Sequence, residues 1–207
     1  MPSRNPIFWE VDTQADFMLP RGKLYVPGAE RLLPNIRRLT DAAREGRVFL
    51  VSHGCFHTKD DPEFATFPPH CIRDTPGSAY VAEGLTNKVI IVPNDPAASL
   101  PHDLENYQQI LLEKQTLDIF ATHHAGELVK QLGKDAEFVV FGVVTEFCVR
   151  LAAKGLLDRG HSVSIVEDAI ETLKAEDGAR SVAELKGLGA KFITTDQALA
   201  RVEPTNK

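Results

Sequence analysis

The sequence predicts an α/β fold of three layers, in which helices cover both faces of a mainly parallel, doubly wound sheet. Two observations predict it. Short apolar segments without polar alternation recur along the chain, as expected for strands that are buried on both faces. Segments with helical periodicity lie between them, and strands that alternate with helices form a parallel sheet between two helical layers. The length of 207 residues indicates a single domain that spans residues 1–207.

Hydrophobic periodicity and helix-ending glycines place the individual elements. Thr145 is a predicted N-cap, since threonine commonly accepts a hydrogen bond from the first turn of a helix. The predicted strands are 8–12, 48–51, 89–92, 137–142, 162–166 and 190–194. The predicted helices are 29–45, 117–132, 145–159 and 175–188.

Composition excludes several classes of protein. The formal net charge of −6 argues against a general nucleic-acid or membrane-surface binder, because both need a basic surface. No apolar run is long enough to cross a bilayer, and the first ten residues lack the pattern of a signal peptide. Three cysteines are too few for a disulfide scaffold. We therefore expect a cytoplasmic protein with free thiols.

The unusual chemistry of the chain lies where predicted strands end, and ligands of such sheets bind at the carboxyl ends of the strands. Asp12, the segment 53–57 and the segment 142–148 all occupy such ends. Cys148 would lie in the first turn of a helix, where unpaired N–H groups and the helix dipole stabilise a thiolate and can also hold an oxyanion. A small buried core residue is the alternative interpretation of Cys148.

A cysteine nucleophile needs a base and a group that orients it. Asp12 and Lys114 are candidates, because a lysine beside a thiolate lowers its pKa and an aspartate can shuttle the proton. By spacing alone, Lys114 could equally be a solvated surface lysine.

A second candidate site combines His57 and His70 with Cys55 and Glu63. Cys55 and His57 point the same way in an extended segment, and a loop through Glu63 to His70 can close round a cation. Thiolate, imidazole and carboxylate suit zinc, and the histidines also suit iron or manganese. The alternative is a polar loop with two unrelated histidines.

Three segments together resemble the isochorismatase-like cysteine hydrolases and, within them, the nicotinamidases. Residues 12–17 match the pattern Asp-x-Gln-x-Asp-Phe. Residues 67–71 and 75–77 match the Pro-Pro-His-Cys region and the glycine motif that follows it. Residues 142–148 match the nucleophile segment. The resemblance extends in the expected order from about residue 7 to about residue 195.

This resemblance implies a triad of Asp12, Lys114 and Cys148. Asp12 would take the thiol proton and return it to the leaving amine, while Lys114 holds the charges in place. The resemblance also implies a cis peptide bond between Val143 and Val144, with an oxyanion hole made by the N–H groups of Val144 and Cys148. The reaction would be acyl transfer through a thioester on the cysteine.

The resemblance further implies that His57, Glu63 and His70 are metal ligands, in a family where the metal binds the pyridine nitrogen of nicotinamide. Cys55 departs from the pattern, because it occupies the position of an aspartate. The departure indicates either a softer metal such as zinc or an empty site. His53, two residues earlier, is a candidate substitute ligand.

Phe17 and Phe67 match positions that flank a planar substrate ring, and Phe147 and Phe120 are candidates for the same wall. Core packing is the alternative for these phenylalanines.

The leading hypothesis is an amidohydrolase that converts nicotinamide to nicotinate and ammonia. The same triad acting on another small amide, an N-carbamoyl compound or a ureido acid is the second. A non-catalytic thiol or metal-binding protein is the third. The resemblance also implies a homo-oligomer.

Overall fold

A seven-stranded sheet forms the centre of the computed structural model, which describes residues 5–202. Its strand order is β3-β4-β2-β1-β5-β6-β7, and each neighbouring pair is parallel. The strands are β1 Ile7–Val11, β2 Leu50–Cys55, β3 Val89–Val92, β4 Gln109–Lys114, β5 Glu137–Val143, β6 Ser162–Glu171 and β7 Lys191–Ile193.

Helices cover both faces of this sheet. They are α1 Ala15–Met18, α2 Leu33–Arg44, α3 Ala125–Leu132, α4 Arg150–Asp158, α5 Ala175–Gly187 and α6 Thr195–Leu199. Short 3-10 turns occur at Ala29–Leu32, Pro62–Ala65, Pro76–Ser78, Ala82–Gly84, Leu104–Asn106 and Ile119–Ala121. Within residues 5–202, no helix combines the length and apolarity that a bilayer span requires.

Each face of the sheet carries its own apolar core. Phe8 packs with residues of α2 and α6 on one face, whereas its neighbour Trp9 packs with residues of α3 and α4 on the other. Both side chains are fully buried. Strand β1 is therefore apolar at consecutive positions because both of its faces are covered, which confirms the predicted three-layer α/β fold.

Several sequence-based assignments differ from the structure. The predicted strands 48–51 and 162–166 correspond to the longer β2 and β6, the predicted helix 29–45 begins with a 3-10 turn, and α1 and α6 were not predicted. Strand β4 was not predicted, and it lies between β2 and β3. The predicted helix 117–132 begins only at Ala125, because the Asp118 carboxylate accepts from Phe120 N–H and starts a separate 3-10 turn. Thr145 does not cap a helix, since its hydroxyl donates to the Glu171 carbonyl at 2.8 Å. A π-helical turn, Thr145–Val149, precedes α4.

Candidate active site

The predicted triad residues lie at or beyond the carboxyl ends of three strands, β1, β4 and β5. Asp12 directly follows β1, Lys114 is the last residue of β4, and Cys148 lies five residues beyond the end of β5. Strand β2 lies between β1 and β4 and ends at Cys55, which is in register with Lys114. Parallel strands that end at one edge of the sheet therefore gather these side chains into one place.

Lys114 is the centre of this group. Its Nζ lies 3.0 Å from Asp12 Oδ2, 3.6 Å from Cys148 Sγ and 2.9 Å from Cys55 Sγ. Lys114 is 0% exposed, so its interpretation as a solvated surface lysine is wrong. A buried ammonium requires anionic or accepting partners, and all three of its partners are also buried.

The surroundings of Cys148 favour its neutral thiol over the thiolate. Burial and then the Asp12 carboxylate raise the pKa of Cys148 well above its usual value, and Lys114 only partly offsets them. The raised pKa of Cys148 differs from the sequence-based expectation, because a helix N-terminus alone would favour the thiolate. Burial lowers the pKa of Lys114, but the negative charges of Asp12 and of Cys148 and Cys55 in their thiolate forms outweigh burial and raise it well above the usual value. Both shifts favour an ammonium on Lys114 and a neutral thiol on Cys148.

The backbone at the end of β5, which leads to Cys148, packs closely against the end of β1. Gly142 has φ +117°, and a Cβ there would lie 2.1 Å from the Val11 carbonyl oxygen, so only glycine fits this position. The peptide bond between Val143 and Val144 is cis, as the resemblance implied. The Val144 carbonyl then accepts from the N–H groups of Phe147 and Val149, which fixes the turn that carries Cys148.

Three of the four predicted metal ligands form a compact group. The ligand atoms of Cys55, His57 and His70 all lie within 4.8 Å of one another, and all three residues are buried. Glu63 Oε1 lies 3.9 Å from His57 Nε2 and 3.8 Å from His70 Nε2. The carboxylate therefore faces the two imidazoles and completes the set of four.

Both histidines present Nε2 to the centre of this group. His70 Nδ1 lies 2.8 Å from the Pro68 carbonyl, which can only accept, so Nδ1 carries the proton and Nε2 keeps its lone pair. His57 Nδ1 lies 2.9 Å from Asp61 Oδ2. Metal-binding histidines typically have such outer partners on the second ring nitrogen.

The donor set fits a divalent cation. His57 Nε2 is buried and has no hydrogen-bond partner among residues 5–202, a costly arrangement that a bound cation would resolve. Burial lowers the pKa of His70, which keeps its ring neutral and able to bind. Burial and then Asp12 raise the pKa of the Cys55 thiol to about 12 even with Lys114 beside it, so its thiolate form requires a metal ion in addition to the lysine.

His53 is not part of this group. Its Nδ1 accepts from Trp9 Nε1 at 3.0 Å, and burial lowers its pKa to about 3. The suggestion that His53 substitutes for the missing aspartate is therefore not supported by its position, whereas Cys55 lies at the site.

A narrow apolar pocket opens above Cys148. The three predicted wall residues Phe17, Phe67 and Phe147 line it, and the rings of Phe67 and Phe147 meet edge to face at 5.8 Å. Phe120 is elsewhere, stacked on Trp9. The complete lining is Asp12, Phe17, Leu24, Cys55, Glu63, Phe67, His70, Leu117, Val143, Val144, Phe147, Cys148 and Leu173.

Comparison with known proteins gives the family. The model of the isochorismatase domain matches residues 10–197, which include all of the site described above. The chain belongs to the isochorismatase family. This confirms the resemblance inferred from the three sequence motifs.

Relatives within the isochorismatase family include several amidases. A nicotinamidase of Escherichia coli is 24% identical over 214 residues, covering 89% of this chain and 92% of that protein. The zinc complex of Pyrococcus horikoshii pyrazinamidase has a TM-score of 0.72 and 25% identity, covering 92% of this chain and 99% of that one. For N-carbamoylsarcosine amidase from Thermoplasma acidophilum the TM-score is 0.70 at 21% identity, with coverages of 93% and 97%.

Sequence reasoning missed several residues of this family member's site. Leu24, Leu117 and Leu173 line the pocket from loops, and no periodicity or motif distinguishes them from core leucines. Asp61 is a further residue of the site, since its Oδ2 lies 2.9 Å from His57 Nδ1. An acid four residues after a candidate ligand was the available signal, and loop geometry was needed to use it.

Proposed function

We propose that the protein is a cysteine amidohydrolase that converts nicotinamide, or a similar planar carboxamide, to the acid and ammonia. The observation that carries the proposal is the buried Lys114, whose Nζ lies 3.0 Å from Asp12 Oδ2 and 3.6 Å from Cys148 Sγ beneath an aromatic pocket. Nicotinamidase and pyrazinamidase relatives support the same reaction.

The proposed reaction begins with a neutral thiol. As Cys148 sulfur bonds to the amide carbon, Asp12 takes the thiol proton and the carbonyl oxygen becomes negative. The N–H groups of Val144 and Cys148 would hold that oxygen. Asp12 then protonates the amine, the carbon–nitrogen bond breaks, and ammonia leaves a thioester. Water attacks the thioester and gives a proton to Asp12, and the acid departs as the thiol re-forms.

Lys114 stays an ammonium throughout these steps. Its contacts to Asp12 and Cys148 stabilise negative charge on whichever atom carries it at each stage. Because the site is buried, this stabilisation is stronger than it would be in water.

The residues that would hold a divalent cation are Cys55, His57, Glu63 and His70. A bound cation would supply a coordination point for the substrate's ring nitrogen, which would orient the amide towards Cys148. Sulfur among the donors favours zinc over manganese or magnesium.

The pocket favours an uncharged substrate. Its lining, as far as the described residues form it, contains no arginine or lysine. Lys114 is not among the lining residues, and its ammonium is already paired with Asp12. The carboxylate of an N-carbamoyl amino acid or ureido acid would therefore find no lysine or arginine to pair with, and it would compete with Cys55 and Glu63 for a bound metal ion. A planar, neutral amide avoids both problems and suits the walls formed by Phe17 and Phe67.

Ammonia release from a panel of amides tests the proposal. Nicotinamide and pyrazinamide should be hydrolysed, and N-carbamoylsarcosine should react far more slowly. Cys148→Ala should lower kcat on the order of 10⁴-fold or more, since a covalent nucleophile is lost. Cys71→Ala is the matched control, because Cys71 is equally buried but does not line the pocket. Activity that survives in Cys148→Ala refutes the mechanism. Hydrolysis of the carbamoyl compound alone would favour the second substrate class.

A further inference from the structure

Glu146, two residues before the nucleophile, connects the nucleophile turn to a separate segment of chain. Its carboxylate accepts from Thr172 Oγ1 at 2.6 Å, from Leu173 N–H at 2.9 Å and from Lys174 N–H at 3.0 Å. The residue is only 6% exposed. Hydrogen bonds to a buried carboxylate are stronger than neutral ones, so these three contacts hold residues 172–174 firmly.

Two further contacts fix the same segment. Thr145, next to Glu146, donates its hydroxyl to the Glu171 carbonyl. On the other side, a Cβ at Gly178 of α5 would lie 2.5 Å from Thr172 Oγ1, so the helix packs closely against the segment. Residues 171–174, called the wall segment here, are thus held between the nucleophile turn and α5.

Leu173 gives the wall segment a place in the active site. Leu173 lines the pocket together with Cys148 and Val144, and its N–H donates to the Glu146 carboxylate. The carboxylate that lies next to the nucleophile turn therefore also fixes one wall of the cavity above the sulfur.

Glu146 also stabilises a helix. Lys174 is the N-cap of α5 and its side chain makes no capping bond, so Glu146 provides the anion at this helix N-terminus from outside the helix. If Glu146 acted only as a helix cap, replacing it would lower the stability of the protein alone. If it also positions Leu173, replacing it would change the shape of the pocket as well.

We propose that Glu146 is a specificity-determining positioning residue, which fixes the wall segment so that Leu173 limits the size of the molecule that reaches Cys148. The proposal deepens the proposed amidase function and rests on it for the identity of that molecule. The geometric part does not need turnover, because access to the Cys148 sulfur can be measured by alkylation.

The first experiment compares alkylation of Cys148 by iodoacetamide and by the bulkier N-phenylmaleimide, with peptide mass spectrometry to separate Cys148 from Cys55 and Cys71. In Glu146→Ala the rate ratio of bulky to small reagent should rise roughly tenfold, the scale of selectivity that a pocket wall provides. Leu173→Ala should raise it similarly. In the double variant, the rate ratio of bulky to small reagent should exceed the ratio of either single variant by no more than about twofold, since both changes remove the same wall.

A matched control separates pocket shape from stability. The Asp168 carboxylate accepts from Thr195 N–H and Oγ1 at the start of α6, and it is not part of the pocket. Asp168→Ala should therefore lower thermal stability without changing the alkylation ratio. An unchanged ratio in Glu146→Ala, or effects of Glu146→Ala and Leu173→Ala that multiply, overturns the proposal.

The second experiment uses the holoenzyme and the amide panel. In Glu146→Ala the preference for nicotinamide over 5-methylnicotinamide should fall roughly tenfold, mainly through KM, and Glu146→Gln should recover part of it because one oxygen still accepts. If Glu146→Ala does not fold, Thr172→Val removes one of the three contacts and should shift the alkylation ratio in the same direction. No shift in that variant overturns the proposal. An amide-inactive protein whose alkylation ratio still shifts would refute the amidase function alone.

Discussion

Replacing Lys114 by methionine would leave the Asp12 carboxylate without its cation. The two side chains are 0% and 2% exposed and lie 3.0 Å apart. Methionine has similar length and fits an apolar site, so little packing is lost. Removing one partner of a buried ion pair typically costs about 3–5 kcal/mol, because the remaining charge is uncompensated. We expect Lys114→Met to lose about that much unfolding free energy, a large part of the stability of a domain of this size.

A second change isolates the cause. Asp12→Asn removes the orphaned charge, so the double variant Asp12→Asn/Lys114→Met should be more stable than Lys114→Met by roughly 2 kcal/mol or more, although neither protein would be active. Urea unfolding in a chelator, followed by the fluorescence of the single tryptophan Trp9, measures both. Trp9 is fully buried, so its emission should report on unfolding of the core.

Lys154→Met provides the control, since Lys154 pairs with Asp158 on the surface and such pairs contribute at most about 1 kcal/mol. A loss below about 1 kcal/mol in Lys114→Met would refute the reasoning, because it would mean that water or another group compensates Asp12. A double variant no more stable than Lys114→Met would equally refute it.

Two further predictions concern the acids around the site. Burial raises the pKa of Glu10 to about 7 despite hydrogen bonds from Ser52 and Thr13, so the neutral form stabilises the fold below about pH 4.5 and that contribution is lost as pH rises through 7. Relative to Glu10→Gln, the wild type should therefore lose about 3 kcal/mol of unfolding free energy between about pH 4.5 and a pH above 7. Parallel curves of unfolding free energy against pH for the two proteins would contradict this prediction. Asp61→Ala should lower zinc affinity by about 10–100-fold in a chelator competition, because it removes the outer partner of His57. Asp60→Ala is the control, since Asp60 is exposed, and equal affinities in the two variants would exclude the role of Asp61.

The general fold could be predicted because its strands are apolar on both faces. Strand β4 was missed because Gln109, Glu113 and Lys114 interrupt its apolar pattern. Each of these is buried against a partner distant in the sequence: Gln109 Nε2 donates to Ser52 Oγ, and Glu113 accepts two bonds from Arg73. Such pairing allows polar residues inside a strand, but it is visible only after the chain has folded.

Within the site, the sequence predicted which residues meet but not their charge states. Cys148 was expected as a thiolate from its place near a helix start. Burial and the nearby Asp12 carboxylate instead raise the pKa of Cys148, and a linear sequence shows neither. By sequence position, Glu146 is an acid in the first turn of its own helix, whereas its carboxylate accepts from Leu173 N–H and from Lys174 N–H at the start of α5. Contacts between segments distant in the sequence place loop residues such as Leu173 at the pocket, so no local sequence pattern identifies them.

Cys55 links the two halves of the site, and its chemistry determines how they interact. Its sulfur lies 2.9 Å from Lys114 Nζ and also belongs to the ligand group of His57 and His70. An aspartate in this position could give one oxygen to a cation and the other to the lysine, whereas a thiolate must serve both with a single atom. When the Cys55 sulfur donates electron density to a metal ion, it becomes a weaker hydrogen-bond acceptor for Lys114. The lysine would then interact more strongly with Asp12 and Cys148. We therefore expect loading with zinc to strengthen the ion pair on which the triad depends.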